Sequence, residues 1–187
     1  ILICDSLAFD NIMVFPDRFK NHILPEQVHI LNVAFLVPEM RREFGGCAGN
    51  IAYNLMLLGG DPLIMATVGD DATPYLERLD KFGLARTHVR HVPGSFTAQA
   101  FITTDLDDNQ ITAFNPGAMA FAADLPPLDG IKREALVFIA PGNKQDMMAL
   151  AGKARGTGLP YYFDPGQSLN TWERDELRQA VSGAQCF

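Results

Sequence analysis

The chain has 187 residues, enough to bury a core, and its 48% hydrophobic and 20% charged content is the ordinary balance of a folded domain. A net charge of −7 with no basic stripe argues against a nucleic-acid partner. No apolar run reaches the length of a membrane span, nothing at the start resembles a signal peptide, and Cys4, Cys47 and Cys186 read as reduced thiols of a cytoplasmic protein.

Strand and helix patterns alternate along the chain, which predicts an α/β fold with a mainly parallel sheet. A first strand is expected at Ile1–Ala8, already under way at residue 1, which implies further residues in front. Asp10 follows it, at the edge where open α/β sheets bind ligands. A carboxylate there can accept hydrogen bonds from two neighbouring hydroxyls, as a ribose diol presents them, or it can serve as a turn or capping residue. Ser6 would line the same place or be a strand-end hydroxyl. Asp5 adds a second carboxylate, either solvated or repelling phosphate-bearing sugars.

Val28–Val37 and Ala98–Phe114 are rich in β-formers but interrupt the alternation, the second being broken by a hairpin signal at Asp105–Asn109. They are expected to pair as a small separate antiparallel sheet, the alternative being edge strands of the main sheet. Between them, Gly45, Gly46 and Gly49 lead into a helix predicted at Asn50–Leu58. Such glycines permit positive φ and close approach of a ligand, the helix aims free amides at it, and Asn50 offers a donor and an acceptor. On pattern alone a ligand-free turn explains the same residues.

Further strands are expected at Leu63–Thr67, Leu136–Ala140 and Tyr161–Asp164, and helices at Pro74–Phe82, Gln145–Arg155 and Trp172–Ser182. Asn143 with Asp146 and Asn170 with Glu173 have capping-box spacing, and Gly83 and Gly156 stand as helix stops. Asp70-Asp71 reads as a solvated turn, and His88-x-x-His91 as a surface pair in a strand-like context. Phe114 is either a stacking surface for a purine or an ordinary core aromatic.

The spacing of Gly45-Gly46, Asn50, Ala52, Gly59 and Gly69 resembles that of the PfkB (ribokinase-like) family of sugar and nucleoside kinases. Within it, Phe15-Pro16-Asp17-Arg18-Phe19, Phe35-Leu36-Val37, Thr103-Thr104-Asp105, Pro116-Gly117-Ala118-Met119 and Asp164-Pro165-Gly166-Gln167 are similar to bacterial adenosine kinases. The resemblance implies a ribokinase-like three-layer αβα core with a small antiparallel β lid, built from segments of about residues 12–43 and 96–116. Residues 1–187 would be the N-terminal part of a single domain.

It further implies an ATP- and Mg²⁺-dependent kinase that phosphorylates the primary hydroxyl of a ribosyl substrate, adenosine to AMP first, in purine salvage. A ribose or fructose-type sugar kinase and a non-catalytic nucleoside- or sugar-binding protein are the alternatives. Ser6, Asp10, Gly45, Gly46, Asn50, Phe114 and Gln167 would bind the substrate, Gln167 and Ser168 matching positions that face the purine. No Gly-x-x-x-x-Gly-Lys-Ser/Thr loop occurs, so a P-loop kinase is excluded. The family's Gly-x-Gly-Asp motif is likewise not in this sequence, and the catalytic base, with the metal motif before it, is expected C-terminal to Phe187. One departure is Asp5, where relatives usually carry glycine. An exposed lid edge would suit a homodimer.

Overall fold

The computed structural model describes residues 1–131 and 134–187. Strands β1 (Leu2–Cys4), β4 (Leu63–Val68), β5 (His88–His91), β8 (Val137–Ile139) and β9 (Tyr161–Phe163) form an all-parallel sheet in the order β5-β4-β1-β8-β9. Helices α1 (Cys47–Leu57), α2 (Thr73–Lys81), α3 (Lys144–Thr157) and α4 (Arg174–Val181) are their connections and cover. Strand alternation divides the core in two. Ile3, Ile64, Ala66 and Val68 pack with Ala48 and Ala52 of α1 and Tyr75 and Leu79 of α2 on one face. Leu2, Cys4, Met65, Val137 and Ile139 pack with Met147, Leu150 and Ala154 of α3 on the other. Burial on both faces is why the central strands β1 and β4 read as continuous apolar runs.

A second sheet stands apart, in the order β3-β2-β6-β7, from β2 (Ala8–Val14), β3 (Met40–Gly45), β6 (Ala98–Thr104) and β7 (Gln110–Asn115). A small separate sheet is present as expected for a lid, but its strands differ, as described below, and it is not antiparallel throughout: β2 pairs β3 antiparallel and β6 pairs β7 antiparallel, but β2 and β6 run parallel. The expected hairpin turn is present, and Asp105 holds it by accepting hydrogen bonds from the backbone of Asp107, Asn109 and Phe19.

Several boundaries differ from the sequence reading. Ile1–Ala8 is not one strand: pairing with the core stops at Cys4, and the chain turns through Asp5–Leu7 into the lid. Asp10 therefore lies within a lid strand instead of following the core strand. Val28–Val37 forms no strand. Pro25 starts a 3-10 turn over Pro25–Ile30, and the residues after it are irregular, fixed where Phe35 packs on Phe15 and Phe19 at ring separations of 4.7 and 4.9 Å. The third lid strand is instead β3, whose charged sequence hid it.

At the helix ends, Asn143 Oδ1 caps α3 by accepting from Gln145 and Asp146 amides, while the Asp146 carboxylate accepts from Ala123 instead of closing a box. The reciprocal box at α4 uses Glu173 and Glu176, three residues past the predicted start. Gly83, at φ 66°, ends α2 as expected, but Gly156 lies inside α3, whose left-handed stop is Gly158 at φ 71°. Among the described residues no helix is long and apolar enough to cross a membrane.

Candidate active site

The order in which strands are added to the parallel sheet reverses at β1. From β1 the chain passes through α1 to β4 on one side, while β8 and α3 lie on the other. This leaves a crevice at the C-terminal end of β1, the ordinary ligand position in such sheets. The chain there is Asp5-Ser6-Leu7, and it feeds directly into the lid strand that carries Asp10.

The glycine pair is needed by contact, not only by conformation. Gly46 caps α1 at φ 84°, and a Cβ there would stand 2.5 Å from the Ser6 carbonyl and 2.7 Å from the Ala8 nitrogen. At Gly45 a Cβ would meet Asp10 Oδ2 at 2.2 Å, so the Asp10 carboxylate lies across the bare Gly45 backbone. From beneath, the Tyr75 hydroxyl donates to the Gly45 carbonyl at 2.6 Å, and a Cβ on Gly49 would collide with that hydroxyl. Ala48 N–H donates to the Ser6 carbonyl at 3.1 Å, which ties the first turn of α1 to the crevice. Ser6, Asp10, Gly45, Gly46 and the α1 N-terminus are thus one assembly. Asn50 lies in the first turn of α1 with its side chain exposed.

The lid register adds Phe114. Asp10 pairs with Ala100, and Ala100 with Phe114, so all three occupy one cross-strand row and present the same face. The other face of β2 and β3 carries Phe9 and Phe44, which pack onto the core with Tyr75. Asp10 and Phe114 therefore share the face turned away from the core, two strand spacings or about 10 Å apart. Phe114 is 50% exposed, so the core-aromatic alternative does not hold. Gln167 stands exposed in the 3-10 turn Gly166–Thr171 beyond β9, on the same edge of the parallel sheet but two strands from β1. No hydrogen bond joins it to the Asp10 assembly among the described residues.

Electrostatically the crevice is acidic. Burial raises Asp10 above the usual carboxylate range. Asp5 is only 5% exposed, and burial pushes it up to about 7 despite hydrogen bonds from the Ser6 amide and the Cys47 thiol, with the Asp164 charge adding to the rise. Its Oδ2 has no hydrogen-bond partner. This is a correction to the idea of a solvated Asp5. The Cys47 thiol, on an exposed residue, is pushed up to about 12 by desolvation of its sulfur and by Asp5, which favours the protonated form.

Asp71 is no solvated turn residue either. It accepts from Thr97 N–H at 2.7 Å, Gln99 Nε2 at 3.1 Å and Arg42 Nη2 at 3.0 Å, which anchors β3 and β6 of the lid to the core loop after β4. Burial opposes its ionisation, but these bonds prevail and hold it below the usual range. Its neighbour Asp70 bonds His91 Nε2 at 2.8 Å. Sequence inspection missed this anchor because its three partners lie 26 to 29 residues away along the chain. The one available signal was Gly69, where a Cβ would strike the Ser95 carbonyl at 2.2 Å.

Comparison with known proteins agrees with this geometry. Residues 7–187 match the model of the pfkB family of carbohydrate kinases. A nucleoside kinase of Methanothermobacter thermautotrophicus is 33% identical over 153 residues, which are 80% of this chain and 50% of that protein. The solved nucleoside kinase of Burkholderia thailandensis in complex with inosine is 48% identical, covers 98% of this chain and 58% of its own, and superposes with a TM-score of 0.79. The same protein with ADP-inosine gives 50% identity and a TM-score of 0.74, over 98% of this chain and 57% of its own. This chain spans about half the length of the curated relatives it matches. With the three-layer core, the separate lid sheet and a family match over nearly all its residues, the chain belongs to the pfkB family of carbohydrate kinases.

Proposed function

We propose that this chain forms the acceptor-binding part of an ATP-dependent nucleoside kinase that phosphorylates the primary hydroxyl of a purine ribonucleoside, with adenosine the expected substrate. The observation that carries this reading is the row Asp10–Ala100–Phe114. A carboxylate that accepts from a 2′,3′-diol and an exposed ring about 10 Å away match the two ends of a nucleoside, whereas a bare sugar leaves the ring unused. The Burkholderia relative binds inosine, which supports a purine nucleoside as acceptor.

In this reading Asp10 accepts from the ribose hydroxyls and Gly45 keeps its carboxylate flat. The N-terminus of α1, with Ser6 and Asn50, supplies further polar contacts, Phe114 stacks on the base, and Gln167 meets the base edge. The lid excludes water that would compete with the acceptor hydroxyl. ATP, as its magnesium complex, would supply the phosphoryl group. Among the described residues no group of three or more His, Cys, Asp or Glu side chains is placed to hold a metal, so these residues do not fit a magnesium site and no step is assigned through one. The free outer edge of β7, uncharged from Gln110 to Asn115, is where a second copy would pair.

Calorimetry of the complete gene product with adenosine, inosine, ribose and fructose tests the reading. Nucleosides are expected to bind and free sugars to bind poorly, and Asp10→Ala is expected to cost about 1–3 kcal/mol and to blunt discrimination against 2′-deoxyribosides. Binding of sugars with none of nucleosides would move the substrate to the sugar class.

A further inference from the structure

The row that contains Asp10 and Phe114 has a fourth member. Glu43 of β3 pairs directly with Asp10, on the side away from Ala100, and so presents its side chain on the same face. Directly opposed residues have Cβ atoms about 5 Å apart, so two acidic side chains leave the same face of the lid from neighbouring positions. Asp10 leans over Gly45, along the strand, while the Glu43 side chain remains half-exposed. Arg41, two residues earlier on the same face, approaches Glu43 at 4.0 Å, with both side chains open to solvent. Arg42, between them, points to the other face, over the Phe9 ring and onto Asp71.

We propose that Glu43 sets the selectivity of this site against nucleosides phosphorylated on the sugar 2′ or 3′ oxygen. The inference rests on the nucleoside reading of the row. With the base at Phe114 and the diol at Asp10, the next position outward from the diol belongs to Glu43. A free diol meets a second hydrogen-bond acceptor there. A 2′- or 3′-phosphate meets a negative charge instead, and the nearest cation, Arg41, is already partly neutralised by that same carboxylate. A dianion about 6 Å from one carboxylate, in a water-like dielectric, is disfavoured roughly tenfold.

The test compares adenosine with its 2′- and 3′-monophosphates as ligands of the complete gene product, in wild type and in Glu43→Gln, Glu43→Asp and Asp10→Ala variants. The quantity read is the ratio of the monophosphate to the nucleoside dissociation constant. Glu43→Gln is expected to lower that ratio about tenfold at low salt, and Glu43→Asp to preserve it. In wild type added salt is expected to shrink the ratio, with little effect in Glu43→Gln. A structural role for Glu43 would move both constants together and leave the ratio and its salt dependence unchanged, which overturns the proposal. If Asp10→Ala leaves adenosine binding intact, the nucleoside reading itself fails. If Asp10→Ala weakens adenosine binding as expected while the Glu43→Gln ratio stays fixed, only the role of Glu43 is lost.

Discussion

Replacing Asp5 by asparagine keeps the outline of the side chain and removes its ionisation. The folded carboxyl is pushed up to about 7 against an ordinary 3.8, chiefly by burial. A carboxylate raised in this way contributes stability that is fully present at low pH and is lost as pH rises through about 7, because the unfolded chain releases the proton far more readily. A tenfold difference in proton affinity is worth about 1.4 kcal/mol. Integrated from pH 5 to pH 8, the single group accounts for about 2–3 kcal/mol. Urea unfolding of wild type and Asp5→Asn at both pH values reads this directly. With a slope of about 2 kcal/mol per molar urea, the midpoint of the variant relative to wild type should rise by about 1 M between pH 5 and pH 8. Groups common to both proteins, Asp10 and Asp146 among them, cancel in the difference. A difference between the two midpoints that is the same at both pH values would refute the reasoning, since it would mean that Asp5 ionises as freely in the fold as in water.

Two further outcomes are expected. Gly45→Ala places a methyl carbon where the Asp10 carboxylate lies and should lower nucleoside affinity at least tenfold, while the Gly45→Ala, Asp10→Ala double variant should bind no more weakly than Asp10→Ala alone; calorimetry decides, and additive losses would separate the two residues. Asp71→Ala removes the acceptor shared by Thr97, Gln99 and Arg42 and should speed hydrogen exchange in β3 and β6 ahead of the parallel core, with a stability loss of about 1–3 kcal/mol, and uniform exchange across the molecule would show that the anchor does not hold the lid.

Much of the core was legible because each signal was local. The apolar run at Leu63–Val68 is buried on both faces, and Val137–Ile139 and Tyr161–Phe163 bury their outer residues, so these strands announce themselves without reference to partners. Asn143 and Gly83 act within a few residues of themselves, and the hairpin at Asp105–Asn109 is held by bonds to its own loop. The lid was only half legible. β3, Met40–Gly45, is mostly exposed and charged, so it lacks the apolar pattern of a strand, while the apolar stretch after Pro25 is held by aromatic contact with Phe15 and Phe19 and not by pairing.

What the sequence alone determined is the order of four of the five core strands and of the four helices, the glycine hinge before α1 and the acidic character of the crevice, all consequences of side-chain type and short-range spacing. Only the tertiary structure decided which residues face one another. Register makes Glu43, Asp10, Ala100 and Phe114 a single row although they are spread over more than a hundred positions in the chain, because strand pairing is set by long-range packing and a slip of one residue would turn every member to the opposite face. The same holds for Asp5. Its identity is visible in the sequence, but its burial, and hence its reluctance to ionise, arises only where β1, α1 and the loop at Gly142 close around it.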